Sequence, residues 1–418
     1  MSLILTNRPF RLLISSAALA NLGDGIAALA FPWLATLITR DPLLVSLVAF
    51  ATRLPWLLLS IPAGIITDRH DRRQLMLRAD ATRALLALVA VGLAINLRHG
   101  AAPGGEVAAI LSLAALAFLM GCAEVVRDNA AQTVLPSLVA PVELERANGQ
   151  IWSVERIMGA FVGPPLAGAL IALALPVPFG VEALGFALAA WMVWAIALPV
   201  RPRPVRRHPL TEAAEAWAWM RGQPTILRLA VMLGMLNALT MMALTVLVLV
   251  SQDRLGLGAA AYGALLTVEA AGGVAGGLFG PRLVARLGQA RSVRLSLVLF
   301  PLPWLVIALS DSAVVVALAL FVGMGAGVIW NLVTVSYRQR LIPDALLGRV
   351  NSLYRFFGWG MMPVGALAGG WLVALAEGPL GRDMALRLPY AAAAAGTLAL
   401  AVYGWRRLHF APAADTVA

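Results

Sequence analysis

Three acidic residues lie inside long apolar stretches of the chain, where a charged side chain has a high free-energy cost. Asp24 stands in Asn21-Leu-Gly-Asp24-Gly, Glu269 opens a glycine-rich run, and Glu155 lies in the fifth apolar stretch. Ionisable groups inside membrane spans are usually paired or functional, and burial favours the protonated form of a carboxyl group. These residues are therefore candidates to carry a proton, with Asp24 first, Glu269 second and Glu155 third.

Basic residues also lie within apolar stretches and need partners. Arg53 is near the middle of the second stretch, and either Asp24 or Glu155 would neutralise it. Asp80 and Arg83 are three residues apart, a spacing that places both on one helix face. We expect these two to pair within their own helix.

The composition gives these residues a membrane setting. Of 418 residues, 61% are hydrophobic and 13% are charged, whereas about a quarter of the residues of a soluble domain are charged. Since a spanning helix needs about 20 apolar residues, the length allows about a dozen spans. The predicted spans are 12–38, 43–67, 75–97, 106–126, 147–175, 178–198, 226–250, 259–284, 292–309, 313–336, 350–375 and 385–405.

The chain lacks the residues that several classes of protein require. The single cysteine, Cys122, excludes a disulfide framework, and the four histidines are too scattered to form a metal site. A Walker loop needs a lysine, and every basic residue here is arginine. No nucleophile and base form a catalytic pattern. We expect no enzyme activity, no catalytic residue, no metal and no cofactor.

The arginines predict the orientation of the spans. They concentrate in alternate loops, and the other loops hold only Arg40, Arg98, Arg254, Arg382 and Arg387. Cytoplasmic loops carry the arginine excess, so both termini are predicted to be cytoplasmic. The net charge of +11 therefore indicates membrane topology and not nucleic-acid binding.

The arrangement of the predicted spans suggests a duplicated architecture. Residues 201–224 form a loop that opens with arginine and proline and continues as an amphipathic stretch, expected on the inner leaflet. This loop separates residues 1–200 from 225–405, and 406–418 form a tail. Arg146-Ala-Asn-Gly resembles Arg349-Val-Asn-Ser at the corresponding place in the second half. Six spans plus six is the plan of a rocking transporter with a cavity between its halves.

A charged motif follows the second predicted span: Gly64-Ile-Ile-Thr-Asp68-Arg69-His-Asp-Arg72-Arg73. It resembles the loop motif of the major facilitator superfamily, and span number, orientation and repeat agree. The resemblance implies two pseudo-symmetric six-helix bundles in an all-α membrane protein. It also implies a latch in which Gly64 permits close helix approach, Asp68 faces the start of span eleven, and Arg72 pairs with Asp128. Glu124 and Arg355 lie near the inner ends of spans four and eleven, so the expected gate residues are Gly64, Asp68, Arg69, Arg72, Arg73, Glu124, Asp128 and Arg355.

A second motif lies in span five: Gly159-Ala-Phe-Val-Gly163-Pro164-Pro-Leu-Ala-Gly168. It resembles the family's antiporter signature, although an alanine precedes Gly168 where that signature has glycine. Proline bends a helix because it removes a backbone hydrogen bond, and glycines let helices pack closely. The motif therefore predicts a kinked, closely packed span, and the resemblance implies export.

Gly23-Asp24 and Glu124-x-x-x-Asp128-Asn resemble the twelve-span drug:proton antiporter branch. This resemblance implies proton-coupled efflux of small amphipathic or hydrophobic compounds, such as drugs, macrolides or siderophores, by a monomer in the bacterial inner membrane. The expected partners are substrate, protons and lipid, without nucleic acid. Arg53, Asn237 and Asn331 are candidate cavity residues. Uptake, lysophospholipid transport, and a receptor or assembly role without transport remain alternatives.

Overall fold

The computed structural model describes residues 3–98, 105–197 and 209–408. Within these ranges the chain is helical and contains no β-strand. Twelve segments of the described residues are long and apolar enough to cross a membrane. The prediction of an all-α, twelve-span membrane protein is therefore confirmed.

The spans are numbered in chain order. The first six are span one, Arg8–Ile38; span two, Pro42–Arg69; span three, Arg72–Arg98; span four, Glu106–Val134; span five, Leu144–Arg156 continued by Ile157–Val162 and Gly163–Leu173; and span six, Val177–Trp194. The second six are span seven, Pro224–Asp253; span eight, Ala259–Leu287; span nine, Gln289–Leu299 with Pro301–Leu309; span ten, Ala313–Leu341; span eleven, Asp344–Gly360 with Met362–Leu380; and span twelve, Arg382–Arg407. Short helices cover Leu3–Thr6, Leu135–Ser137, Pro141–Glu143 and Pro209–Arg221.

Local caps explain where the first two spans begin. Asn7 accepts a hydrogen bond from the backbone N–H of Phe10 at 2.9 Å, which satisfies one of the free donors at the start of span one. Asp41 does the same for Leu43 at 2.8 Å. A proline stands in the first turn of both helices, where its missing N–H has no cost.

The chain divides into two compact units. The first contains residues 1–206 together with 257–267, and the second contains 207–256 together with 268–418. The first turns of span eight thus belong with the first unit: a Cβ built on Gly168 of span five would lie 2.9 Å from Cα of Ala260.

The helix Pro209–Arg221 packs against span eleven, and its place on the inner leaflet stays a prediction. Met220 is fully buried in the core of the second unit. The ring of Trp217 stacks on Phe357 of span eleven at 5.9 Å, and Glu215 accepts a hydrogen bond from Arg349 at 2.6 Å. An amphipathic pattern requires an apolar surface on one side, and span eleven supplies it here. Residues 201–208 lie outside the described ranges.

A network of arginines and aspartates joins the loops of the second unit. Arg254 lies 2.5 Å from Asp311 and 3.1 Å from Asp383. Arg387 lies 2.9 Å from Asp311 and 3.0 Å from Asp383. Arg254 and Arg387 are two of the few arginines in the loops that are predicted to lie on the side opposite the cytoplasm. Each is neutralised by carboxylates beside it, which explains how it fits there.

This network predicts a pH dependence of stability. Hydrogen bonds from Arg254 and then Arg387 hold the pKa of Asp311 below its usual range. A carboxyl whose pKa is lowered by folding stabilises the fold above its unfolded pKa, about 3.9, and loses that contribution as the pH falls through the lower folded value.

We expect Asp311→Asn to lower the thermal midpoint in detergent at pH 7. The difference from wild type should shrink below about pH 4 and vanish at stronger acid. Glu106→Gln, at the exposed carboxylate that begins span four, is the control and should change little at any pH. A constant difference from pH 7 to strong acid would contradict the assignment.

Candidate functional site: embedded charges of the first unit

Asp24 of span one is bound by an arginine from span three. Its Oδ1 accepts a hydrogen bond from Nη2 of Arg83. The side chain of Arg83 is 2% exposed and that of Asp24 is 26% exposed, so a buried guanidinium binds a partly exposed carboxylate. The predicted pair of Asp80 with Arg83 is therefore wrong.

Asp80 instead pairs with an arginine of span four. Its Oδ1 lies 3.3 Å from Nε of Arg127, and both side chains are buried. Three residues advance a helix by about 4.5 Å, so Asp80 and Arg83 stand at different levels of span three. Each is level with an opposite charge on another span, and those tertiary partners replace the local one.

The phenyl ring of Phe186 supports Arg83. The guanidinium carbon of Arg83 lies 3.9 Å from the centre of this ring, which span six contributes. A cation over an aromatic face is stabilised by the ring's electrons. Gly23 makes room for the ring, since a Cβ built there would lie 2.7 Å from Cζ of Phe186. The pair Gly23-Asp24 thus supplies both the space and the counter-charge.

Glu182 of span six also belongs to this site, although it was not among the predicted site residues. Its side chain is fully buried, and it interacts electrostatically with Arg83. Neither carboxyl oxygen has a hydrogen-bond partner among the described residues. The signal was available, because Glu182 is an acid inside the predicted span 178–198, and the rule that selected Asp24 also selects it.

Glu124 of span four adds another carboxyl to the group. It interacts electrostatically with Arg83 and Arg53, and the side chain of Trp56 hydrogen-bonds it. Asp24 and Glu155 were the predicted partners of Arg53. Asp24 is held by Arg83 instead, and Glu124 faces Arg53, because spans two and four pack against each other.

Span five crosses span one through glycine backbones. A Cβ built on Gly163 would lie 2.5 Å from Cα of Gly25, and one built on Gly25 would lie 2.9 Å from Cα of Gly163. Residues Ile157–Val162 form a π-helical stretch just before Gly163-Pro164. Span five is thus irregular just before the motif's proline and packs closely on span one, while the bend expected at the proline stays a prediction.

Comparisons with known proteins decide the family. The model of the family described as transmembrane secretion effector matches residues 4–415. The chain belongs to this family of the major facilitator superfamily. The predicted family is thus confirmed, and the protein is a membrane transporter and not an enzyme.

Named relatives and a solved structure resemble the whole transporter. The multidrug efflux pump Tap of Mycobacterium tuberculosis is 28% identical, over 97% of this chain and 96% of its own. The enterobactin exporter EntS of Citrobacter koseri is 26% identical, over 85% and 82%. A bacterial homologue of the iron transporter ferroportin, solved in an inward-facing state, has a TM-score of 0.73 at 19% identity, with 97% of this chain and 100% of the other covered.

The latch residues of the transporter differ from the family expectation. Nη1 of Arg72 donates to the backbone oxygen of Thr133 at 2.8 Å, while Asp128 lies 3.5 Å from Arg127. The predicted Arg72–Asp128 pair is therefore wrong, although Arg72 still joins spans three and four. No described atom lies within 4 Å of a Cβ built on Gly64, and its close approach to a neighbouring helix stays a prediction.

Two other predicted gate residues, Arg69 and Arg73, differ in their exposure to solvent. Arg69 is exposed and Arg73 is half-buried. The side chains of Asp68 and Arg355 lie outside the described part of the chain.

The remaining predicted proton-carrying and cavity residues lie in different parts of the structure. Glu155 interacts electrostatically with Asp128 and Arg127, at the edge of the charged group. Glu269 is half-buried in the second unit. Nδ2 of Asn237 donates to the backbone oxygen of Gly358 at 2.8 Å, so this amide holds spans seven and eleven together. Asn331 is exposed and donates to Gly327 of its own helix at 3.0 Å.

Proposed function

We propose that this transporter exports small amphipathic or hydrophobic compounds in exchange for protons, and that the Asp24–Arg83 pair is its coupling site. The observation that supports this proposal is the bond between a partly exposed carboxylate and a buried guanidinium on different spans. A proton on Asp24 removes the charge that holds Arg83. One protonation event can therefore change the contacts between span one and span three.

The energies involved are of matching size. Removing one partner of a buried ion pair costs about 3–5 kcal/mol, and a proton that crosses about 100 mV supplies about 2.3 kcal/mol before any pH gradient is counted. The membrane potential thus supplies a large part of the free energy needed to separate such a pair, and a pH gradient adds to it. A fully solvent-exposed ion pair contributes too little free energy to couple proton binding to transport.

Export as the direction is supported by the two relatives, which are named as an efflux pump and an exporter. It also agrees with the antiporter-like motif of span five. We propose the bacterial inner membrane as the location, with both termini in the cytoplasm, because of the arginine distribution. Drug-like, macrolide or siderophore-like compounds are the proposed substrates.

Everted membrane vesicles test this function directly. Vesicles with the protein are energised to be acidic inside and supplied with ethidium, erythromycin or enterobactin in separate assays. We expect accumulation of at least one probe, and a protonophore should abolish it. Vesicles from the same strain without the protein are the control. Accumulation that is insensitive to the protonophore would contradict proton coupling, and energised loss of the probe from the vesicles would indicate uptake as the direction.

A further inference from the structure

Glu182 is a buried acid without an evident partner in the site. Its exposure is 0%, and both carboxyl oxygens lack a hydrogen bond in the described structure. A buried carboxylate without donors is strongly disfavoured. A neutral, protonated Glu182 avoids that penalty, so the arrangement fits a carboxyl that holds its proton.

Arg83 has donors to spare for a second carboxyl. A guanidinium carries five N–H donors. Nη2 of Arg83 binds Asp24, whereas Nε and Nη1 have no acceptor among the described residues. Span six, which carries Glu182, packs against both span one and span three. Arg83 therefore stands between one carboxyl that it binds and another that it leaves free.

We propose that Asp24 and Glu182 share Arg83 and one proton. In the observed form the proton is on Glu182 and Arg83 binds the Asp24 carboxylate. In the other form the proton is on Asp24 and Arg83 binds the Glu182 carboxylate. The three side chains carry zero net charge in both forms. This inference rests on the proposed coupling at Asp24 and assigns Glu182 a role in it.

The sharing explains how a buried arginine releases Asp24. Removal of one partner from a buried pair is costly because the other charge is left uncompensated. A second carboxyl removes this cost, since Arg83 passes from span one to span six without losing a counter-charge. Other charges around Arg83 are Glu124, Arg127 and Asp128. Arg127 is paired with Asp80, and Glu124 faces Arg53 and Trp56, so these groups have partners of their own.

The first test is Glu182→Gln, which keeps shape but cannot accept Arg83 as a carboxylate. The pH dependence of substrate-driven proton exchange is measured in proteoliposomes without a membrane potential. We expect the half-maximal pH to move toward acid by at least about one unit, with a roughly tenfold loss near neutral pH. Glu182→Asp, which retains the carboxyl, should recover part of the shift, and Glu106→Gln is the control. A wild-type profile in Glu182→Gln would overturn the proposal.

The second test needs no change at Glu182. Infrared difference spectroscopy follows the C=O stretch of protonated carboxyl groups at neutral pH. In Asp24→Asn, Arg83 should pass to Glu182, so the band of one protonated carboxyl should disappear although Glu182 is intact. A Glu182 with only a packing role would keep its proton and its band, which would overturn the inference. Loss of transport in Asp24→Asn with the band retained would overturn the sharing of the proton and leave the proposed function intact.

Discussion

Asp24→Asn is expected to abolish export against a gradient while leaving the protein folded and inserted. Asparagine has nearly the same shape as aspartate, but it carries no charge and cannot take up a proton. One proton per substrate at about 100 mV supplies about 2.3 kcal/mol, enough for a roughly 40-fold gradient of a neutral compound. The variant should bring this gradient to unity.

The measurement is the steady-state gradient of the transported probe in energised vesicles. Counterflow exchange of the same probe, which requires no net proton movement, should persist and shows that the variant is folded. Asp41→Asn is the matched control, because Asp41 accepts from the backbone of Leu43 at 2.8 Å and asparagine caps a helix equally well. A variant at position 24 that still concentrates the probe would exclude Asp24 from the coupling mechanism.

The spans were predictable because the bilayer imposes a length on every apolar run. Span one was expected at 12–38 and lies at Arg8–Ile38, because the capping residue Asn7 starts the helix one turn earlier. Acidic residues inside such runs could be selected as site candidates for the same reason, since a charge at that depth is costly whichever way the helix is rotated. Residue type and depth in the membrane are therefore properties that a sequence reveals.

Partners were less predictable because they depend on how each helix is rotated about its axis. Asp80 and Arg83 satisfy the local spacing rule, yet each binds a residue on another span. Their partners are 47 and 59 positions away in the sequence, and no local pattern links them. The π-helical stretch Ile157–Val162 adds a further rotation to span five. The direction in which the later side chains of this span project could therefore not be predicted from a regular 3.6-residue repeat.

The crossing of spans one and five is the second place where a single substitution should have a large effect. Gly163→Ala places a methyl group 2.5 Å from Cα of Gly25. Both sides of this contact are backbone, which cannot move aside as a flexible side chain can. The helices must separate, and overpacking of this kind costs about 3 kcal/mol.

Transport should fall more than stability in Gly163→Ala, because Gly25 is adjacent to Asp24. A displacement of span one at Gly25 also moves the carboxylate that binds Arg83. Thermal unfolding in detergent and probe accumulation are measured together. Gly92→Ala is the control, since a Cβ there meets no described atom within 4 Å and alanine favours the helix by up to about 1 kcal/mol. If Gly163→Ala were as stable and as active as Gly92→Ala, the glycine contact would not be what positions Asp24 against Arg83.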